Sequence, residues 1–239
     1  MSETLPTIAL IGAGGGIGTA LCRLLHEQGY PLLALGRSRD ALAPLEADYH
    51  ASISVVDARD RAALENALGG VTGLGGIVNL AGSIVLRNAQ RTDDALFTEV
   101  IDTNLRTAFN CVAAAQGLLR KGGSVVLMSS AAAQVGLANH EAIAAAKAGV
   151  EGLMRSAAAS GARSGLRVNA VAPGLVDTPL AADITGNPQM RAGSEKMHPL
   201  GRLGTPEDVA QAIAYLISPQ ASWISGHCLG VDGGLAHLR

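Results

Sequence analysis

Thr7-Ile8-Ala9-Leu10-Ile11-Gly12-Ala13-Gly14-Gly15-Gly16-Ile17-Gly18 is a short apolar run that breaks into five glycines. The run has the length and composition of a buried strand, and Ile17–Gln28 continues from it with helical period. Glycine permits backbone angles closed to other residues and lets a ligand approach the main chain. A helix that starts at such a turn offers free N–H groups and the positive end of its dipole to an anion. Strand, glycine turn and helix in this order predict a seat for the diphosphate of a dinucleotide, built by Gly12, Gly15, Gly16, Ile17 and Gly18. The strict spacing is G-x-x-x-G-x-G, because Ile17 breaks G-x-G-x-x-G. No Gly-Lys-Ser/Thr follows, which excludes a nucleotide triphosphatase loop.

The same alternation continues along the chain. Expected strands are Thr7–Ile11, Leu32–Leu35, Ile53–Val56, Gly76–Leu80, Ser124–Met128, Arg167–Val171 and Cys228–Val231. Expected helices include Ile17–Gln28, Asp93–Leu119, His140–Gly161 and Pro206–Ile217, the last opened by Thr205 as N-cap with Pro206 after it. Apolar strands alternating with helices predict an α/β fold: a doubly wound parallel sheet of the Rossmann type, about seven strands, with helices on both faces. No linker or charge block divides residues 1–239, so one dinucleotide-binding domain is expected. The stretch 178–204 mixes Gly, Pro, Asn and charges without a period and is expected to be an irregular substrate lid.

Composition narrows the function classes. Of 239 residues, 48% are hydrophobic and 16% charged, which excludes a disordered chain. Aromatics at 3% exclude a base-stacking platform, and a net charge of −2 leaves no case for nucleic acid or anionic membrane as partner. Cys22, Cys111 and Cys228 are far apart and suit neither a disulfide framework nor a metal site. With no basic n-region ahead of an apolar stretch, a cytoplasmic protein with a small-molecule substrate is expected.

The second strand ends Leu35-Gly36-Arg37-Ser38, without the acid that would bond the ribose hydroxyls of NAD. Arg37 and Ser38 instead suit a 2′-phosphate, so NADP(H) is favoured over NAD(H). The alternative is that Arg37 is simply a solvated loop arginine.

These motifs resemble the short-chain dehydrogenase/reductase family almost from end to end. Gly12–Gly18 is similar to its T-G-x-x-x-G-x-G, with Ile11 for the threonine. Asp57-Ala58 looks like the pair that meets the adenine, and Asn79-Leu80-Ala81-Gly82 is similar to N-N-A-G with the second Asn lost. Asn104 matches the family's catalytic asparagine and Ser130 its substrate-orienting serine. Arg167 to Gly174, containing Pro173, resembles the segment that frames the nicotinamide, and Val176 and Thr178 follow it. Ser225 to Gly234 resembles a C-terminal signature often found in a tetramer interface, which implies a homo-oligomer, dimer or tetramer.

The resemblance breaks at the active site. The family's Y-x-x-x-K reads Ile143-Ala144-Ala145-Ala146-Lys147 here, and thirteen residues after Ser130 is again Ile143. Tyr30, Tyr49 and Tyr215 lie after the first helix, before the third strand and in a late helix, away from the site. Lys147 is left to bond the nicotinamide ribose, while Ile143 has no proton to give. Loss of a positioned general acid is worth about 10²–10⁴ in rate. His140, with Asn139 as N-cap, would share a helical face with Ile143 and Lys147. It is either a substitute proton carrier or a solvated histidine at a loop–helix junction. His198, at the end of the expected lid, is expected at a surface loop, with a place facing the substrate as the alternative, and His26 on the solvent face of the first helix. His50, His227 and His237 lack partners at metal-ligand spacing, so no metal is expected. Two readings follow: an NADP(H)-dependent oxidoreductase of a small carbonyl or alcohol with a modified proton-transfer site, or a dinucleotide-binding protein without redox turnover, a sensor or partner subunit.

Overall fold

The computed structural model describes residues 5–119 and 122–238. In chain order the elements are β1 (Thr7–Ile11), α1 (Gly16–Glu27), β2 (Leu32–Gly36), α2 (Arg39–Tyr49), β3 (Ser52–Val55), α3 (Arg61–Gly69), β4 (Leu74–Asn79) and α4 (Asp94–Ile101). There follow α5 (Thr107–Leu118), β5 (Gly123–Met128), α6 (Glu141–Gly161), β6 (Leu166–Pro173), α7 (Ala182–Thr185), α8 (Pro188–Met197), α9 (Pro206–Ile217) and β7 (Cys228–Val231).

The strands form one parallel sheet in the order β3-β2-β1-β4-β5-β6-β7, the Rossmann-like arrangement expected. Successive side chains leave a strand on opposite faces, so Leu10 and Ile11 serve different cores. Leu10 packs with Leu21 and Leu25 of α1 and Ile213 of α9. Ile11 packs with Ile77, Cys111 of α5 and Met154 of α6. Because both faces are covered, the strands read as near-continuous apolar runs. The strand order reverses between β1 and β4, and ligands of such sheets bind beyond the carboxyl ends of the strands at that reversal.

Local chemistry starts and stops the helices. Thr205 Oγ1 accepts the Asp208 N–H while Asp208 Oδ2 accepts the Thr205 N–H, the reciprocal cap that opens α9. Burial pushes the Cys22 and Cys111 thiols up to about 12, so both are inert apolar filling.

Four expectations are corrected. Asp93–Leu119 is not one uniform helix: five residues, Asp102–Arg106, are wound as a π-helix between α4 and α5. Asn104 Nδ2 and Thr107 Oγ1 donate back to the Val100 and Thr103 carbonyls there, which loosens the ordinary ladder. Asn139 is not the cap of α6; it has φ +63°, and His140 holds the cap position with no side-chain cap bond. The stretch 178–204 is not irregular: it carries α7 and α8, the latter opened by Asn187 Oδ1 accepting the Gln189 and Met190 N–H groups. His26 is half-buried, with ring contacts to Tyr49 and His50.

Candidate active site

A cavity of about 210 Å³ opens at the carboxyl ends of β1, β2 and β4, lined by Gly12, Gly15, Gly36, Arg37, Asp57, Ala58, Arg59, Ala81 and Gly82, among others. Its glycines have different duties. Gly12 has φ +80° and a Cβ there would stand 2.9 Å from the Ala81 nitrogen, whereas a Cβ on Gly18 would collide with the Ala13 carbonyl. A Cβ on Gly16 would press on Thr178 at 3.0 Å, so that glycine admits the loop after β6. Gly15 alone of this set faces open space, with only the Gly12 carbonyl at 3.5 Å from its Cβ position. No side chain caps α1 and no acid lies in its first turn, leaving its N–H groups for an anion beside Gly15.

At the far end of this cavity Asp57 is gripped by Arg59, whose guanidinium donates at 2.6–3.1 Å and holds the carboxyl below its usual range. Arg37, also on the cavity, lowers it further through its charge. Arg59 was missed by sequence reasoning, although a cation two residues after Asp57 could have marked it. Ser38 caps α2, its hydroxyl accepting the Ala41 N–H at 3.4 Å.

Beside the first cavity stands a polar set on β4, β5, the π-wound turn and α6. Asn79 is buried, its Oδ1 accepting the Ala81 N–H and its Nδ2 donating to Thr107 Oγ1, so its side chain shapes the loop. Asn104 Oδ1 accepts the Ser83 N–H and its Nδ2 donates to Ser83 Oγ at 3.0 Å. Ser83 is a second residue that sequence reasoning missed. Lys147 donates from Nζ to the Met128 carbonyl at 2.9 Å, and its ammonium lies 3.5 Å from where a Gly82 Cβ would be. Burial pulls its pKa down to about 8. Ser130 Oγ accepts the Ala132 N–H.

One turn before Lys147, Ile143 is 5% exposed; it packs with Val100 and Ala146 and forms a wall of a second cavity, of about 410 Å³. That cavity is largely apolar: Ile84, Leu86, Leu137, Leu175, Ile184, Met190 and Met197 face it, with no Phe, Tyr or Trp and no Asp, Glu, Lys or Arg. Ser130, His140, Ser194 and His198 bring polar side chains to it, and Pro173 and Gly174 line it too. His140 Nδ1 lies 2.8 Å from the Ala138 carbonyl. A carbonyl only accepts, so Nδ1 carries the hydrogen and Nε2 is left to the cavity.

His198 corrects the expectation of a surface loop, being 2% exposed. Its Nε2 accepts the Leu175 N–H at 3.1 Å while Nδ1–H donates to the Ser194 carbonyl at 2.7 Å. The ring thus ties α8 to the segment after β6. Gly174 must be glycine because a Cβ would sit against that ring. Val176 is buried and bridges to Gly204, and Thr178 Oγ1 donates to the Val176 carbonyl. Among the described residues no cluster of His, Cys, Asp or Glu could hold a metal ion, and no helix is long and apolar enough to cross a membrane.

Sequence and fold are both matched in known proteins over nearly the whole chain. The family described as Enoyl-(Acyl carrier protein) reductase matches residues 12–236. Cis-4-hydroxycyclohexanecarboxylate dehydrogenase of Sinomonas cyclohexanicum is 39% identical over 239 residues, covering 93% of this chain and 93% of that protein. An oxidoreductase of the short-chain dehydrogenase/reductase family from Burkholderia thailandensis superposes with a TM-score of 0.91 at 35% identity, over 98% of this chain and 93% of that one. A variant of actinorhodin polyketide ketoreductase, solved with NADPH, superposes with a TM-score of 0.90 at 29% identity, over 99% and 100% of the two chains. Likeness of this extent, in sequence and in topology together, makes the chain a member of the short-chain dehydrogenase/reductase family of oxidoreductases.

Proposed function

We propose that the chain is an NADP(H)-dependent oxidoreductase that interconverts a small ketone and its secondary alcohol, with an altered proton-transfer site. The observation that carries this reading is buried Lys147, whose ammonium lies 3.5 Å from the Cβ position of Gly82, a wall of the dinucleotide cavity, and which follows by one turn Ile143, a wall of the aliphatic cavity. The cradle fits the cofactor: open space at Gly15, uncapped N–H groups on α1, and the unpaired guanidinium of Arg37 where a 2′-phosphate would lie. When bound, the nicotinamide gives or takes the hydride.

The protein's own groups do the rest. Gly12, Gly15, Gly16, Ile17 and Gly18 present main-chain N–H groups to the diphosphate, and Arg37 with Ser38 selects the phosphorylated ribose. Asp57 and Ala58 border the adenine, and Ala81, Gly82, Val176 and Thr178 flank the nicotinamide half. Lys147 keeps donors beyond its bond to Met128 for the nicotinamide ribose. Asn104 holds Ser83, and Ser130 orients the substrate oxygen. Ketone reduction needs one proton at that oxygen, and alcohol oxidation must remove one. Ile143 can do neither, while His140 Nε2 can accept it as a neutral ring and return it as an imidazolium. Residues 178–204 act as the lid of one catalytic unit, which works as a cytoplasmic dimer or tetramer.

The relative acting on a hydroxycyclohexane acid supports an alicyclic or aliphatic substrate, as does the aliphatic wall. The test is NADPH oxidation with a panel of cyclic and linear ketones. His140→Ala should lower the rate about a hundredfold, and an unchanged rate would remove His140 from the chemistry. Ile143 also supports a second reading, a dinucleotide-binding protein without turnover. NADPH binding by calorimetry, with no ketone oxidising it, would favour that reading.

A further inference from the structure

Most arginines among the described residues are paired internally. Among the described residues, every guanidinium but those of Arg37, Arg87, Arg91 and Arg163 meets a carboxylate within 4.0 Å or, for Arg167, backbone carbonyls. Arg163 precedes β6, at the amino edge of the sheet, away from the ligand crevice. Arg37 faces the dinucleotide cavity. Arg87 and Arg91 follow the carboxyl end of β4 and line one cavity of about 440 Å³ with Leu86, Asn88 and Asn139. Leu86 is also a wall of the aliphatic cavity, and Asn139 adjoins His140. The two spaces therefore adjoin at Leu86: an inner chamber lined by no Asp, Glu, Lys or Arg, and an outer one with two unpaired cations and no acid in its lining.

The neighbouring acids do not cancel these charges. Asp93 is committed to the N-terminus of α4, accepting the Leu96 N–H at 2.8 Å. Asp94 and Glu141 lie in the first turns of α4 and α6, and neither comes within 4.0 Å of either guanidinium. Asn139 adds an amide held in the left-handed region at φ +63°. Guanidiniums grouped with an amide favour an oxyanion, which they can bond in pairs.

We propose that the substrate is amphipathic. Its aliphatic or alicyclic body, with the reacting alcohol or ketone, fills the inner chamber, and a carboxylate, sulfate or phosphate at its outer end is held by Arg87 and Arg91. This rests on the reading of the aliphatic cavity as the substrate crevice, and adds the charge and the direction in which the molecule lies.

The test uses matched pairs of keto acids and their methyl esters, cyclic (4-oxocyclohexanecarboxylate and larger ring homologues) and linear, titrated by calorimetry into the full chain with NADP⁺. In at least one pair the acid binds about tenfold tighter than the ester. The double change Arg87→Gln/Arg91→Gln removes that preference and leaves ester affinity unchanged. Raising ionic strength from about 0.02 M to about 0.5 M on unmodified protein weakens the acid and spares the ester, which needs no variant to fold. Equal binding of acid and ester in every pair, or an equal loss of both in the double variant, overturns the proposal. Because binding is read without turnover, arginine-dependent acid binding with no NADPH oxidation would end the redox reading and leave this one standing. Ketone reduction that ignores the acid group would do the reverse. Keto sulfonates and phosphonates in the same titration separate carboxylate from the other oxyanions.

Discussion

The two sides of the crevice are made differently. The dinucleotide side is centred on one glycine turn and the helix start behind it, joined by residues at the ends of β2, β3 and β4, and its glycines Gly12, Gly15, Gly36 and Gly82 offer main chain alone. The lid side is assembled from Ile84, Ile143, Leu175, Met190 and other side chains drawn from separate elements. A main-chain surface tolerates few changes because glycine is there for lack of a Cβ. A side-chain surface can change its chemistry one residue at a time while the sheet beneath stays the same. Ile143 belongs to the second kind, and the cradle for the cofactor does not depend on it.

The sharpest way to break this contrast is Gly18→Val. Its Cβ would collide with the Ala13 carbonyl, so NADPH affinity should fall by more than about a hundredfold in calorimetry, with the aliphatic cavity still binding a ketone. Unchanged NADPH affinity would show that the cradle is not where the cofactor lies. On the other side, Ile143→Tyr places a hydroxyl one turn from Lys147 and should raise ketone reduction by about a hundredfold. No gain would mean that the lid side has diverged beyond that single position. Arg37→Glu should move the ratio of NADPH to NADH affinity about tenfold toward NADH, since it puts an acid where the ribose hydroxyls lie. A ratio that does not move would make Arg37 a solvated residue.

His198→Ala leaves the Leu175 N–H and the Ser194 carbonyl without partners, each worth about 1–3 kcal/mol. Thermal unfolding should show a fall of several degrees and ketone KM a rise, while NADPH affinity holds. Parallel loss of NADPH affinity would mean that the ring supports both sides. The smallest effect concerns Lys147, whose pKa burial lowers from 10.5 to about 8 in the fold. Below that range the ammonium is charged in both states and its burial cost is fully present. Between the two values the unfolded chain holds a proton that the folded chain has lost, so stability rises with pH. The melting temperature of the unmodified protein minus that of Lys147→Met should therefore increase from about pH 8 to about pH 10.5. A flat difference would show that the ammonium stays charged through its bond to the Met128 carbonyl.

Legibility followed the same division. Strand β7 and helix α9 fall on the expected bounds, and β1 does too, because apolar runs and a proline-led cap are local signals. Helix α8 escaped notice: an N-cap and proline at 187–188 announce it, but a helix packed on a cavity edge with a polar outer face shows little period. His198 was read as exposed because a histidine beside proline and glycine looks like loop. Only the packing of α8 against the segment after β6 buries it.

Sequence alone was enough for the alternation of strands and helices and for the glycine turn after β1, since each rests on residue type within a few positions. Two things depended on the tertiary structure: that His198 is a buried tie, and that the cavity of Arg87 and Arg91 shares its Leu86 wall with the aliphatic chamber. Each is a meeting of groups whose partners are set by how the loops and helices pack over the ends of the strands, and local preference along a chain carries no term for that distance.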